Sequence, residues 1–402
     1  MKASPKNVFV FTLLAIFMVC GCVKKSGSDT RSIAKIKVDV ARIDRDRVLK
    51  QANHYLNEQP VTITAARCER SQGGLHDFYS EGDYWWPDPK NPDGPYIRRD
   101  GESNPNNFTA HRKAMRNMSI QVASLTAAYK LSGEQKYADH ALAHLRAWFV
   151  DQATKMNPNM QYAQAIKGRV PGRGVGLIDG IHFVEPVQAV MVLHRMKAIT
   201  EKDYQAISAW FSEFLRWMTT HPYGIDERDR KNNHGTCWVM QAAQYARLTE
   251  NKQVLDDCRE RYKTVLLPNQ MAKDGSFPLE LKRTKPYGYS LFNLDAMAMV
   301  CQILSTPEDN LWTFELPDGR GMPKAMVFMF PYIQDKSQWP FQHDVMYWDQ
   351  WPVRQPSLLF AGMALAQSKY IELWKKLKPL PETDEGLRNF PIREPVLWMD
   401  AL

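Results

Sequence analysis

The chain has 402 residues, enough for one large domain or two ordinary ones. Its 52 Lys and Arg outnumber 44 Asp and Glu, giving a formal net charge of +8 and favouring an acidic partner. No basic run is interleaved with aromatics in the manner of a nucleic-acid platform, which argues against nucleic acid as that partner.

The first residues read as an address. Lys2 and Lys6 precede an apolar run from Val8 to Val19, which has the length of a signal-peptide core and is too short to span a bilayer as a helix. The following Val19-Cys20-Gly21-Cys22 resembles a bacterial lipobox with Cys22 as the lipidated residue, and Lys24 to Arg31 suits a polar tether. Nothing later reads as a transmembrane helix, so lipid alone would hold the protein to the membrane. The expected organisation is a lipoprotein signal peptide over 1–22, a flexible tether over 23–40 and a single domain over 41–402. The expected location is the bacterial cell envelope, in the periplasm or on the outer membrane. Cys68, Cys237, Cys258 and Cys301 are far apart and form no CxxC pair, which leaves one disulfide or buried free thiols open and disfavours a zinc knuckle.

Beyond a short strand candidate at Val61-Thr62-Ile63-Thr64, the periodicity is helical. Tyr137, Ala141, Leu145, Trp148 and Phe149 share one helical face, as do Tyr204, Ile207, Trp210, Phe211, Phe214 and Trp217. Further helices are predicted over 108–131, 183–199, 236–248, 253–266, 289–304, 324–332 and 357–377. Short connectors such as Ser132-Gly133 and Pro222-Tyr223-Gly224 make successive helices antiparallel hairpins. The expected class is all-α, an (α/α) toroid or incomplete barrel of about six to seven hairpins. Residues Pro87 to Pro105 read as one long loop, a length that is usually functional or disordered.

Several segments carry candidate chemistry. Asn232-Asn233-His234-Gly235 enters an apolar helix and offers donors for an anion, although a lone His there is more often a cap. Glu280 to Tyr289 places several cations and two phenols before another helix, where neighbouring cations favour a phenolate able to act as a base. Gly168 to Gly176 lacks the Gly-Lys-Ser/Thr ending of a phosphate loop and suits a carboxylate-bearing ligand better. His182 and Glu185 stand at i and i+3 with no second such pair, which disfavours a metal site; no cofactor is expected. Loop aromatics such as Tyr84-Trp85-Trp86 and Trp348 suit sugar stacking as well as they suit the ends of a helical barrel.

Five segments in order resemble the alginate lyase family with a helical toroid fold. They are His76 to Pro87, Asn159 to Gly176 with Ile178-Asp179, Asn232-Asn233-His234, Glu280 to Tyr289, and His343-Asp344. The resemblance spans roughly Pro60 to Gly362 and implies a polysaccharide lyase acting on an acidic polysaccharide. Asn233, His234 and Arg283 would surround the uronate carboxylate, and Tyr289 would transfer protons. The interval from Arg283 to the tyrosine is one residue shorter than in the family, which leaves Tyr287 as the alternative. Gln164, Arg173, His182, Trp86, His343 and Tyr96 would line substrate subsites. Pro89 to Gly101, with Tyr96, Arg98 and Arg99, would form a lid.

The chemistry implied is β-elimination across a 1,4-linkage, leaving a 4,5-unsaturated uronate. One tyrosine serving as base and acid requires syn elimination, which fits β-mannuronate and glucuronate and not guluronate or galacturonate. Two other classes stay open at this point. A glycoside hydrolase would need paired carboxylates, for which Asp179, Glu185, Asp344 and Asp349 can be nominated. A non-catalytic glycan-binding lipoprotein would need no phenol beside an Asn-His-Arg cluster.

Overall fold

The computed structural model describes residues 36–399, together with Met1, Lys2 and Ser4. Cys22, the apolar run Val8–Val19 and the tether to Arg31 lie outside the described residues. The chain divides into two compact units, Met1–Ile33 and Ala34–Leu402, and the second carries all the elements below.

The second unit is mostly helical. Helix α1 (Val40–Tyr55) was not anticipated, because its sequence is strongly polar; Val40, Asp44, Val48 and Ala52 are its buried stripe at four-residue spacing. The predicted strand at Val61–Thr64 is instead a 3-10 turn over Ile63–Ala65, with the Thr62 hydroxyl accepting from the Thr64 N–H at 3.3 Å. Four short strands follow the same region: β1 (Tyr79–Glu81), β2 (Trp85–Trp86), β3 (Ile97–Arg98) and β4 (Tyr162–Ala165). β1 pairs in parallel with β4, and β2 pairs antiparallel with β3, matching Trp85 with Arg98 and Trp86 with Ile97. The long loop is therefore folded back as a ribbon.

The helical core uses α2 (Ala110–Ser132), α3 (Gln135–Phe149), α4 (Val184–Arg195), α5 (Glu201–Thr220), α6 (Pro222–Arg228), α7 (Asn233–Leu248) and α8 (Lys252–Arg261). It continues with α9 (Leu267–Gln270), α10 (Pro278–Leu281), α11 (Pro286–Leu304), α12 (Met322–Gln334), α13 (Pro356–Ala364), α14 (Ser368–Lys376) and α15 (Asp384–Arg388). Helices α2, α4, α7, α11 and α13 contact one another in that order. Each also packs against its chain neighbour, α3, α5, α8, α12 and α14 respectively. The inner series is buried almost all round, whereas α3 and α5 bury one face. Between α3 and α5, Trp148, Phe149, Phe183, Trp210, Phe211 and Phe214 pack ring to ring, Phe149 and Trp210 at 4.7 Å. Each fully buried ring contributes roughly 1.5–3 kcal/mol of transfer free energy.

Three boundaries differ from the periodicity. The segment 253–266 ends its α-helix at Arg261 and runs through a π-helical turn, Tyr262–Leu266, into α9. The segment 357–377 breaks into α13 and α14, with Ala366 at φ 54° between them. Gly174–Arg195 is apolar and long enough to cross a membrane, yet it is a 3-10 segment leading into α4 and most of it is buried in the core. Cys68, Cys237, Cys258 and Cys301 are free and buried.

Candidate active site

One cavity of about 300 Å³ gathers residues from β1–β2, α2, β4, the segment before α4, the start of α7, the loop before α11, and α15 with its exit. Asn233, His234, Arg283 and Tyr289 all line it, as do Gln164, Arg173 and His182. Trp86, Tyr96 and His343 are not brought to this cavity. Trp86 donates its indole N–H to the Glu102 carbonyl at 2.9 Å beneath the Arg99 guanidinium. Tyr96 lies under the Lys167 ammonium, and His343 is exposed and stacked on Trp348 at 4.0 Å. Trp85, the neighbour of Trp86, is the tryptophan that reaches the cavity, because alternate residues of a strand face opposite ways.

The start of α7 presents Asn233 and His234. The Asn233 backbone N–H and its Nδ2 both donate to the buried Glu280 carboxylate at 2.7 Å, which holds the amide in one orientation and leaves one amide hydrogen for a ligand. Burial pushes the Glu280 carboxyl up, and the two Asn233 hydrogen bonds oppose that rise. His234 Nδ1 lies 2.6 Å from Oε1 of Glu227, a wholly buried carboxylate on α6. With Nδ1–H donating there, Nε2 is the nitrogen left to meet a ligand.

The start of α11 sends the two tyrosines in opposite directions. Asp344 caps it, with Oδ1 accepting from the Tyr287 N–H and Oδ2 from the Gly288 N–H, both at 2.9 Å. Positions two apart on a helix point about 200° apart. Tyr287 consequently faces inward, fully buried, its hydroxyl donating to the Tyr332 carbonyl at 3.2 Å between the rings of Trp339 and Trp348. Tyr289 faces the cavity, with its Oη 2.6 Å from that of Tyr84 and 3.4 Å from Arg283 Nη2. The Arg283 guanidinium lies 4.4 Å over the Tyr289 ring. Arg283 also holds Asp100, with Nε donating at 3.2 Å and the same Nη2 at 3.1 Å. Asp100 belongs to the expected lid segment, which is thereby tied to the catalytic wall.

The neighbouring cations do favour the Tyr289 phenolate, as expected, but burial outweighs them. Desolvation in the cavity wall pushes its phenol well above the usual tyrosine range, with the adjoining Tyr84 adding to the rise and Arg283 and Arg388 only opposing it.

The opposite wall is built on arginine hubs. Gln164, at φ 50°, accepts from Arg173 Nε on its carbonyl at 2.9 Å and from Arg173 Nη2 on Oε1 at 3.0 Å. Burial, then the nearby Arg98, depresses the Arg173 guanidinium to about 10. The glycines before α4 are structural: a Cβ on Gly172 would stand 1.9 Å from the Gln161 carbonyl, so only glycine lets this run lie against β4. His182 is held well below its ordinary range by burial and by Arg393, whose Nη2 lies 3.1 Å from Nδ1.

Asp83 and Asp179 are the carboxylates lining the cavity, and Arg112 pairs with both. The other nominated acids do other work: Glu185 accepts from the Arg393 and Glu394 N–H groups, and Asp344 is the α11 cap. Among the described residues no cluster of three or more His, Cys, Asp or Glu side chains is placed to hold a metal ion. Sequence reasoning missed Arg112, Glu385 and Arg388, which come from α2 and from the C-terminal segment. Arg388 binds Asp83 and forks onto Glu385 at 2.8 and 2.9 Å. Their short-range sequence carries no motif.

The model of the alginate lyase family matches residues 62–339. An alginate lyase from Bacteroides ovatus is 33% identical, with a TM-score of 0.78 over 90% of this chain and 94% of that one. Alginate lyase A1-III from Sphingomonas species A1 is 16% identical, with a TM-score of 0.54 over 90% and 97% of the two chains. A Tyr-to-Phe variant of A1-III complexed with a tetrasaccharide superposes with a TM-score of 0.53 at 16% identity, over 90% and 97%. No curated protein sequence matches. The chain belongs to the alginate lyase family and is a polysaccharide lyase.

Proposed function

We propose that this cavity takes a 1,4-linked polyuronate, mannuronate-rich alginate or polyglucuronate, and cleaves it by syn β-elimination. The observation that carries the reading is the placement of the Tyr289 hydroxyl 3.4 Å from Arg283 on a wall shared with Asn233 and His234. The C5 proton of a uronate is weakly acidic, so charge building on the carboxylate must be met by fixed donors. Asn233, His234 and Arg283 supply them; removing one such donor typically costs about 2.7–4 kcal/mol of barrier. Tyr289 acts as the phenolate, the Tyr84–Tyr289 pair having lost one proton to bulk solvent and Tyr84 donating to the phenolate oxygen, and it takes the C5 proton. The C4–O4 bond then breaks, the electron pair of the C5–H bond becomes the C4–C5 double bond, and the regenerated Tyr289 phenol protonates O4. The arginine-rich wall of Arg112, Arg116, Arg173 and Arg388 suits neighbouring carboxylates of the polymer.

The order of helix contacts supports an (α/α) toroid as the frame, with the cavity at one mouth. The leader supports export over residues 1–22, a tether over 23–40 and attachment to the cell envelope through Cys22. The domain from 41 to 402 then meets acidic polysaccharide outside the cytoplasm.

The test is ultraviolet absorbance of the conjugated product with polymannuronate, polyguluronate and polyglucuronate offered separately. A rise on mannuronate or glucuronate polymers, lost in Tyr289→Phe, is expected. Reducing ends without absorbance would make the protein a hydrolase, and binding without cleavage would make it a glycan-binding lipoprotein.

A further inference from the structure

The cations around the phenol pair are not equally committed. Arg283 is held by Asp100, Arg112 by Asp83 and Asp179, and Arg388 by Asp83 and Glu385. Lys285, buried just before α11, has one carboxylate partner among the described residues, Glu385 Oε1 at 3.2 Å. That oxygen already accepts from Arg388 Nη2 at 2.8 Å and Asn389 Nδ2 at 3.0 Å, so little of its charge remains for the lysine. The ammonium stands amid three phenol rings, 5.2 Å from the centroid of Tyr84, 5.4 Å from Tyr289 and 5.2 Å from Tyr347. Tyr347 holds its ring there with a left-handed backbone, φ 66°, a conformation uncommon for a bulky residue.

We propose that Lys285 is a positioning residue for proton transfer, supplying the positive charge that lets the Tyr84–Tyr289 pair release a proton, and that Glu385 sets how much of that charge the pair feels. The inference rests on Tyr289 being the base. The buried ammonium acts on both phenols at once; its ion-pair partner among the described residues is Glu385, and its charge also reaches Asp344. The other charged groups around the pair are Arg283, with Asp100 behind it, and Arg388 on α15; Asp83 and Arg112 line the same cavity, and Asp344 caps α11. Lys285 makes a single hydrogen bond to a carboxylate, at 3.2 Å, whereas Arg283, Arg112 and Arg388 each make two or more. The ammonium is in turn held in its charged form against the burial penalty by Tyr84 and Glu385.

The experiment is the pH dependence of kcat/KM on mannuronate and glucuronate polymers, with spectroscopic titration of tyrosinate in the unliganded protein. An opposite charge within about 4–6 Å moves a pKa by about 1–3 units. Lys285→Met is expected to lower kcat/KM about tenfold or more on the ascending limb and move its midpoint up. Lys285→Arg should restore most of the loss. Glu385→Gln should act in the opposite direction, raising kcat/KM on that limb, which a merely structural contact would not do. The tyrosine signal missing in Tyr289→Phe should titrate at higher pH in Lys285→Met. Equal losses in Lys285→Met and Glu385→Gln, or an unmoved tyrosinate titration, would overturn the proposal. If Lys285→Met does not fold, the direction of the Glu385→Gln effect decides alone. Full activity in Tyr289→Phe would instead remove the base assignment beneath it.

Discussion

The hydroxyls of Tyr84 and Tyr289 lie 2.6 Å apart, although 205 positions separate them in the chain. At that distance one hydroxyl donates to the other, and a proton lost from the pair leaves a phenolate with a donor already in place. Tyr289→Phe is expected to abolish formation of unsaturated product. Tyr84→Phe removes only the donor and should cost about 1.5–3 kcal/mol of barrier, roughly ten- to a hundredfold in kcat, with a smaller change in KM. Stopped-flow absorbance on a uronate polymer measures both.

Asn233 links the site to stability. Its two hydrogen bonds are the direct partners of the buried Glu280 carboxylate. Asn233→Ala keeps the backbone donor and deletes the side-chain one, leaving a buried carboxylate oxygen unmatched. The expected loss is about 1–3 kcal/mol in urea unfolding, together with a rate loss of about 10²–10³-fold. Glu280→Gln should recover part of the stability in the double variant, because an amide buried there costs less than a charge.

Acid sensitivity should appear around α15. Burial alone would raise the Glu385 carboxyl, but Arg388 and Lys285 outweigh it and hold it at about 2. A carboxyl depressed in the folded state contributes stability above its unfolded value of about 4.3 and loses it as pH falls from there through about 2. The contribution is roughly 3 kcal/mol at neutral pH. Glu385→Gln should therefore flatten the fall in thermal midpoint between about pH 4.5 and 2.5 while lowering the midpoint at pH 7, a comparison calorimetry can make.

The helical class was legible because Tyr137, Ala141, Leu145 and Trp148 repeat at a single face, and the burial pattern of α3 follows that repeat. That Asn233 and Tyr289 stand at helix entries was legible from the polar lead into an apolar run, but both helices begin three residues earlier than the periodicity predicts, so both residues fall in the first turn. The break at Ala366 was not, since neither glycine nor proline marks it. The raised Tyr289 phenol was not legible either: adjacency in sequence shows the cations beside it but neither its burial nor Tyr84, which outweigh them. Asp100, Asp83 and Glu385 reach the wall from three distant segments, and only the folded chain shows that Arg283 and Arg388 are already matched. Trp86 entered as a subsite residue through the family resemblance, and nothing in a Trp-Trp pair tells which side of a two-residue strand meets the cavity.

Gly288 tests how the helix cap serves the chemistry. Replacing glycine by alanine inside a helix ordinarily stabilises by about 0.8–1 kcal/mol. Here a Cβ would stand 2.7 Å from Asp344 Oδ2, the oxygen that accepts from the Gly288 N–H itself. Gly288→Ala must push the Asp344 carboxylate aside, which strips the cap from the Tyr287 N–H as well and turns the first turn of α11 that presents Tyr289. The expected result is a loss of about 1 kcal/mol in stability instead of a gain, with kcat reduced more than KM is raised. Asp344→Asn in the same assay should keep one acceptor oxygen and lose less. A stabilised Gly288→Ala with full kcat would show that the cap tolerates the methyl and that Tyr289 is aimed by its other contacts, Tyr84 and Arg283.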